Sequence, residues 1–483
     1  MWRPPEKIRH QTVSGIWPSM DEATTSKLFS PFKEGRMSLA QRTWVPAMVP
    51  WRASEEGVVT EDILDWYERF ALGRPGAIVV EATGVRDVPS GPLLRIGHDR
   101  FVPGLKKLVE TVRSASGGET RLFIQLIDFL SIKRRPLREK FIGKFLQVTD
   151  EHRQALGLDG VDEDAVRKAM LALSNDELHV ILSERDLESL TRGFRERVTD
   201  AEFDHIHDLP KALPDIFAGA ARRAEAAGFD GVELHYAHAY TMASFLSRLN
   251  ERDDGYGGDL QGRLRLPLET FKAVRAAVGG DFIVGCRMLS EDCISGGSTV
   301  DDAAYFASEF ACAGMDFISL SRGGKFEDAA GPKIGEAIYP YTGRSGYECM
   351  PQIISDSQGP FGRNIEPGAK ILKAVRDAGF ATPIVVAGGM HAFQQAEAVL
   401  SSGKADIIGF ARQTLADPDW FVKVRSGQGD AVNSCKYTNY CEGLDHKHKM
   451  VTCQLWDRLD LKASNTKLTP DGKRRTTAPR WRD

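Results

Sequence analysis

The sequence predicts an α/β protein: a closed (β/α)8 TIM barrel with a charged helical insertion after the third strand and a C-terminal extension. Three observations predict it. Eight short runs rich in Val, Ile, Leu and Phe follow one another along the chain. Amphipathic segments such as Gly104–Ala115, Ile216–Phe229 and Asp301–Gly314 separate most of them. Each run ends in a polar or glycine-bearing turn, the place where a barrel of this kind carries its chemistry.

The runs are Thr43–Val49, Ala77–Ala82, Leu122–Ile127, Gly231–His235, Phe282–Arg287, Phe317–Leu320, Ile384–Ala387 and Ile407–Phe410. Near-continuous apolar strands alternating with helices imply parallel β-structure buried on both faces. Eight such units close a barrel, where five or six would suit an open sheet. Residues 1–25 read as an irregular tail, and the barrel is expected to occupy 26–430. Residues 131–205 do not fit a minimal barrel. They carry 29 charged residues, and Ser174-x-x-Glu177 is a capping-box pattern ahead of Leu178, Ile181 and Leu182. Charged helices inserted over the mouth are expected there, as a substrate lid, a solvated decoration or an oligomer contact. A second long loop, 323–367, carries Tyr339, Tyr341 and Tyr347. Residues 431–483 form a cysteine-bearing extension whose last sixteen residues read as flexible.

Composition excludes several classes. A length of 483 residues suggests about three domains, although one barrel absorbs 250 residues or more. Hydrophobic residues at 42% and charged residues at 27% are ordinary for a globular chain. Lys+Arg 63 against Asp+Glu 67 gives −4, with no basic excess to suggest nucleic acid or an anionic membrane. No run of eighteen apolar residues is present, and the N-terminus lacks an apolar signal region. Seven cysteines, an odd and sparse set, suit free thiols in the cytoplasm better than a disulfide framework.

Three groups of residues suggest chemistry. The turns after the last two runs hold Gly388-Gly389 and Ala411-Arg412. Glycines let backbone N–H groups approach an anion and a guanidinium adds a charged contact, so these turns read as a phosphate site. After the fourth run come His235, His238 and Tyr240. Two neutral imidazoles can donate to one carbonyl oxygen, and a phenol beside them can supply a proton. The spacing also permits a metal, but no third ligand is evident. Finally, Gln125 and Arg287 are polar groups ending apolar strands, and each needs a partner. A flat heterocycle with carbonyl and imide edges would satisfy both; an internal salt bridge from Arg287 to Glu233 or Glu81 is the plainer alternative.

Four blocks then carry a resemblance over about residues 26–425. They are LFSPFKEGRMSLAQRTWVPAMVPWRA, GVELHYAHAYTMASFLSRLNERDDGYGG, DFIVGCRMLSEDCISGG and IIGFARQTLADPDW. In this order they resemble the old yellow enzyme family of FMN-dependent NAD(P)H oxidoreductases. The resemblance implies FMN as cofactor, NADH or NADPH as diffusible reductant, and reduction of an activated C=C in a small α,β-unsaturated carbonyl compound. It implies that Ala47, Met48 and Ala82 line the flavin, that Gln125 and Arg287 bond its pyrimidine edge, and that Gly388, Gly389, Ala411 and Arg412 hold its phosphate. It implies that His235 and His238 bind the substrate oxygen and that Tyr240 protonates the neighbouring carbon. Arg252, Asp254, Tyr256, Gly257 and Gly258 are implied to brace a loop.

The chain departs from the family in places. Val49 stands where Thr or Cys is common, the order is Pro46-Ala47-Met48, and Asp128 replaces a histidine after Gln125. The larger iron–sulfur relatives carry four ordered cysteines, of which Cys435, Cys441 and Cys453 remain here, with His446 and His448 between the last two. Three thiolates read as a vestige, and no metal is assigned. A flavin dehydrogenase acting on an amine or ring C–H, a flavin-binding partner subunit and a flavin-free sugar-phosphate barrel are the rival readings. A homo-oligomer or a redox partner protein stays open.

Overall fold

The computed structural model describes residues 17–238, 240–324, 331–336, 358 and 360–481. The chain begins with a hairpin, β1 (Phe32–Glu34) and β2 (Met37–Leu39). Eight parallel strands follow: β3 (Thr43–Val45), β4 (Ala77–Gly84), β5 (Arg121–Ile127), β6 (Gly231–Tyr236), β7 (Ile283–Leu289), β8 (Ile318–Ser321), β9 (Ile384–Ala387) and β10 (Ile407–Gly409). They close in the order β10-β3-β4-β5-β6-β7-β8-β9. All eight expected runs are strands of one (β/α)8 barrel. The first is shorter than expected, because the chain turns out of the sheet after Val45. Helices such as Val102–Ser116, Leu209–Ala227 and Val300–Cys312 lie between the strands.

The interior is layered by the two-residue period of the strands. Trp44, Phe123, Ile283, Phe317, Val385 and Ile407 form one buried layer, with Trp44 and Phe123 stacked at 5.0 Å. Phe32, Met37 and Leu39 of the hairpin join this layer and plug the barrel from below. Gly285 lies two residues above Ile283; a Cβ there would stand 2.4 Å from the Phe317 ring, so only glycine fits. One step up, Gln125 pairs in register with Glu233, and Glu233 with Gly285. Above them His235 registers with Arg287, and Arg287 with Ser319. The period that packs the bottom of the barrel therefore lines its top with polar groups.

The insertion folds as short helices, among them Asp150–Leu156, Glu163–Ala172, Asn175–Ile181 and Glu184–Thr191. Ser174 and Glu177 form a reciprocal capping box. Phe141, Ile142, Leu146, Val166, Met170, Leu178 and Leu182 make a small core separate from the barrel's. Arg252 is buried and donates to the carbonyls of Val198 (2.7 Å) and Ile206 (3.2 Å), tying the exit of the insertion to the loop after β6.

Two expectations are corrected. The tail reading for 1–25 fails at Met20–Thr25, a helix whose N-cap Ser19 and Glu22 form a capping box. The end of the chain, described to Trp481, is packed rather than loose. Arg52 donates to the Thr476 carbonyl, and Arg69 donates to those of Ala478 (3.0 Å) and Pro479 (2.8 Å). A polar segment with few apolar residues is held here through its backbone. Residues 1–16, and Tyr339, Tyr341 and Tyr347 of the long loop, lie outside the described residues. Among the described residues no helix is long and apolar enough to cross a membrane.

Candidate active site

A cavity of about 960 Å³ opens at the C-terminal end of the barrel. Every residue singled out above for binding or catalysis lines it: Ala47, Met48, Ala82, Gln125, His235, His238, Tyr240, Arg287, Gly388, Gly389, Ala411 and Arg412.

The floor is polar and tightly ordered. Gln125 Nε2 donates to Glu233 Oε1 at 2.6 Å, which fixes the amide across β5 and β6. Arg287 is buried, and the Glu233 carboxylate offsets part of the desolvation of its guanidinium. Burial in turn raises the Glu233 carboxyl, with Arg287 opposing. The internal ion-pair partner weighed for Arg287 is thus present as a neighbour. However, Arg287 Nε and Glu233 Oε2 are buried and have no hydrogen-bond partner in the protein. Unmet buried polar atoms of this kind call for a ligand or water.

The catalytic-looking cluster stands on β6 and the turn after it. The Ala237 amide donates to His235 Nδ1 at 3.3 Å. In a neutral ring that acceptor leaves the proton on Nε2. Burial and the Arg287 charge push His235 down to about 3, and the same causes, in the same order, put His238 well below its usual range. Both imidazoles are therefore neutral at ordinary pH. His238 takes a left-handed backbone (φ 59°), its Nδ1 lies 3.4 Å from His235 Nε2, and its Nε2 lies 2.8 Å from Ser321 Oγ. The Tyr240 ring meets His235 edge-on at 5.3 Å. Burial, then the Asp445 charge, raises the Tyr240 phenol, which therefore keeps its proton.

At the other end of the cavity Gly388 and Gly389 carry positive φ values of 129° and 65°. A Cβ on Gly389 would stand 1.8 Å from the Pro360 carbonyl oxygen, so the turn after β9 requires glycine. Arg412 donates to Asn439 Oδ1 at 2.8 Å and lies over the Tyr437 ring at 4.6 Å. Arg363 joins the glycines on this wall.

Sequence reasoning weighed Cys441, His446 and His448 only as remnants of a metal site and missed the roof they help to form. Trp51 and the extension residues Tyr437, Cys441, Glu442, Asp445, His446 and His448 also line the cavity. Nothing local signals this, because the segment reaches the mouth only through the fold. Glu233, named in the sequence only as a possible ion-pair partner of Arg287, also orders the Gln125 amide. Burial pushes Cys441 and Cys453 up to about 12. Among the described residues no group of three or more His, Cys, Asp or Glu is arranged to hold a metal ion.

Comparison with known proteins finds a family match over part of the chain. Residues 197–340 and 353–431 match the NADH:flavin oxidoreductase / NADH oxidase family. An NADH oxidase of Thermoanaerobacter brockii is 26% identical over 413 residues, covering 84% of this chain and 52% of the relative. An NADPH dehydrogenase of Listeria monocytogenes is 27% identical over 418 residues, covering 85% of this chain and 98% of the relative. The structure of the old yellow enzyme homologue from Zymomonas mobilis shares the fold, at TM-score 0.53 and 21% identity, covering 94% of this chain and 99% of that one. The chain spans about half the length of the first curated relatives it matches.

FMN is the cofactor of this family, and the residues present suit it. The partnerless Arg287 Nε and the ordered Gln125 offer donors to a flat ring with carbonyl edges. Gly388, Gly389 and Arg412 offer backbone N–H groups and a cation to a phosphate.

Proposed function

We propose that the chain is an FMN-dependent oxidoreductase that takes hydride from NADH or NADPH and reduces the activated C=C of an α,β-unsaturated carbonyl compound. The observation that carries this reading is the trio His235, His238 and Tyr240, two neutral imidazoles and a protonated phenol on the cavity that also holds Gln125 and Arg287.

FMN, when bound, supplies a two-electron carrier between nicotinamide and substrate. Gln125 and Arg287 would hold its pyrimidine edge, Ala47, Met48 and Ala82 would pack on the ring, and Gly388, Gly389, Ala411 and Arg412 would hold the phosphate. His235 and His238 would turn their N–H groups from their present neighbours, His238 Nδ1 and Ser321 Oγ, to bind the substrate carbonyl oxygen and stabilise negative charge that gathers there. A neutral donor suits this role: a charged imidazolium would have to be desolvated beside Arg287. Tyr240 holds a proton at Oη and delivers it to the carbon next to the carbonyl as hydride reaches the more distant carbon. Its elevated pKa keeps that proton in place until strong basicity develops on the carbon.

The test separates the two half-reactions under anaerobic conditions. The FMN-loaded protein should be reduced by NADH or NADPH and reoxidised by a cyclic enone. Tyr240→Phe should slow reoxidation by about 10²-fold or more and leave reduction by nicotinamide unchanged. Equal slowing of both steps, or failure to retain FMN, refutes the reading.

A further inference from the structure

The roof of the cavity combines two distant parts of the chain. Trp51 follows β3, and His448 belongs to the C-terminal extension. Their rings stack at 4.1 Å with planes 19° apart, and both line the same cavity as Tyr240. Trp51 Nε1 donates to Asp445 Oδ1 at 2.6 Å, and the Val451 amide donates to the Pro50 carbonyl at 3.0 Å. Trp51 and His448 each hold a left-handed backbone, with φ of 52° and 51°. That conformation is costly for a bulky side chain and persists where surrounding contacts impose it. Of the eight non-glycine residues with positive φ among the described residues, Trp51, His238, Tyr437 and His448 all face this cavity. Asp445, which fixes the indole, lies close enough to Tyr240 for its charge to act on the phenol. The stacked pair therefore shares its cavity with the proposed proton donor.

We infer that the Trp51–His448 pair is the specificity wall of the site, and that the substrate it selects is a planar, aryl-conjugated or polycyclic carbonyl compound. The inference rests on the reading of the site given above. A rigid aromatic face gains from stacking with a flat π-system and gains little from a small aliphatic ring. Val88, Leu93, Leu130 and Ile132 add apolar lining that suits a large hydrocarbon body. His448 contributes as a neutral ring: burial, with the Arg134 and His446 charges, pushes it down to about 4. Glu442, Asp445 and Glu196 also face the cavity but do not reverse that direction.

The wall is tested with His448→Ala and His448→Phe, on an aryl-substituted enone and on a small cyclic enone. The ratio of kcat/KM for the aryl substrate to that for the small one should fall about tenfold in His448→Ala, and His448→Phe should restore it. Binding of a saturated aryl ketone, followed by Trp quenching, should weaken about tenfold in His448→Ala and recover in His448→Phe. An unchanged ratio, or loss without recovery in His448→Phe, overturns the inference. If wild type reduces neither enone yet binds the aryl ketone in a His448-dependent way, the reaction assignment fails and the wall stands. If it binds no aryl ketone, the wall fails.

Discussion

His235 and Glu81 carry opposite pH signatures, and each follows from burial of a group that prefers to be neutral. His235 is held down to about 3 when folded, against an ordinary value of 6.5. Between those limits the unfolded chain binds the extra proton, so its contribution favours unfolding as pH falls from 6.5 towards 3. Glu81, under Tyr67 and without charge compensation sufficient to offset burial, is raised to about 8. There the folded chain holds the extra proton, and stability is lost as pH rises from 4.5 to 8. Glu81→Gln should flatten that loss, a slope of up to ~1.4 kcal/mol per pH unit from one group. Urea melts of wild type and Glu81→Gln at pH 5 and pH 8 check it. The variant should gain relative to wild type at pH 8, and equal differences at the two pH values would refute the assignment. The register explains why Glu81 sits apart from the site. The ladder between β4 and β5 shifts between Val80 and Ala82. Ala82 then faces the cavity, while the Glu81 carboxyl accepts from Tyr67 of helix Glu61–Ala71.

Among elements, the turn after β9 and the inserted helices make different demands. Gly389→Ala adds a Cβ where the Pro360 carbonyl oxygen stands, at a positive φ that alanine resists. The expected outcome is loss of FMN retention with the barrel still folded, read by flavin absorbance after desalting and by far-UV circular dichroism. The insertion has its own core, so damage there should stay local. Met170→Ala should cost ~2–5 kcal/mol within that core, speed proteolysis between Phe141 and Thr191, and leave FMN content unchanged. What was legible follows the same division. Parallel strands buried on both faces announce themselves as apolar runs. The polar residues that end them, Gln125, His235, Arg287 and Arg412, stand out against that background. The insertion shows through its charge and the Ser174–Glu177 cap. The helix Met20–Thr25 escaped notice because its cap precedes no apolar run, and Ala23 is its single buried residue. The meeting of Trp51 with Asp445 and His448 escaped because it spans 394 residues from Trp51 to Asp445, and no local pattern encodes such a contact.

At the scale of the whole molecule, the extension is continuous with the barrel rather than appended to it. Arg52 is 1% exposed, lies over the Trp66 ring at 4.6 Å, and donates to the carbonyls of Val451 (2.8 Å) and Thr476. A buried guanidinium deprived of those acceptors would pay a desolvation cost with no return. Arg69 likewise bridges Asp419 and the carbonyls of Ala478 and Pro479. The coupling extends to the cofactor end of the cavity. The buried Trp456 indole donates to the Leu415 carbonyl at 3.1 Å, and Leu415 lines the cavity on helix Arg412–Ala416, the helix that begins with the proposed phosphate contact. Trp456→Ala should therefore do two things at once. It should cost ~3–5 kcal/mol of stability, read as a lower denaturant midpoint, and it should weaken FMN binding by loosening the helix that presents Arg412. Titration of the FMN-free protein with FMN separates the two effects. A destabilised protein that binds FMN as tightly as wild type would show that the extension supports the fold alone. A joint loss would show that the last fifty residues help to hold the cofactor as well as to roof the substrate.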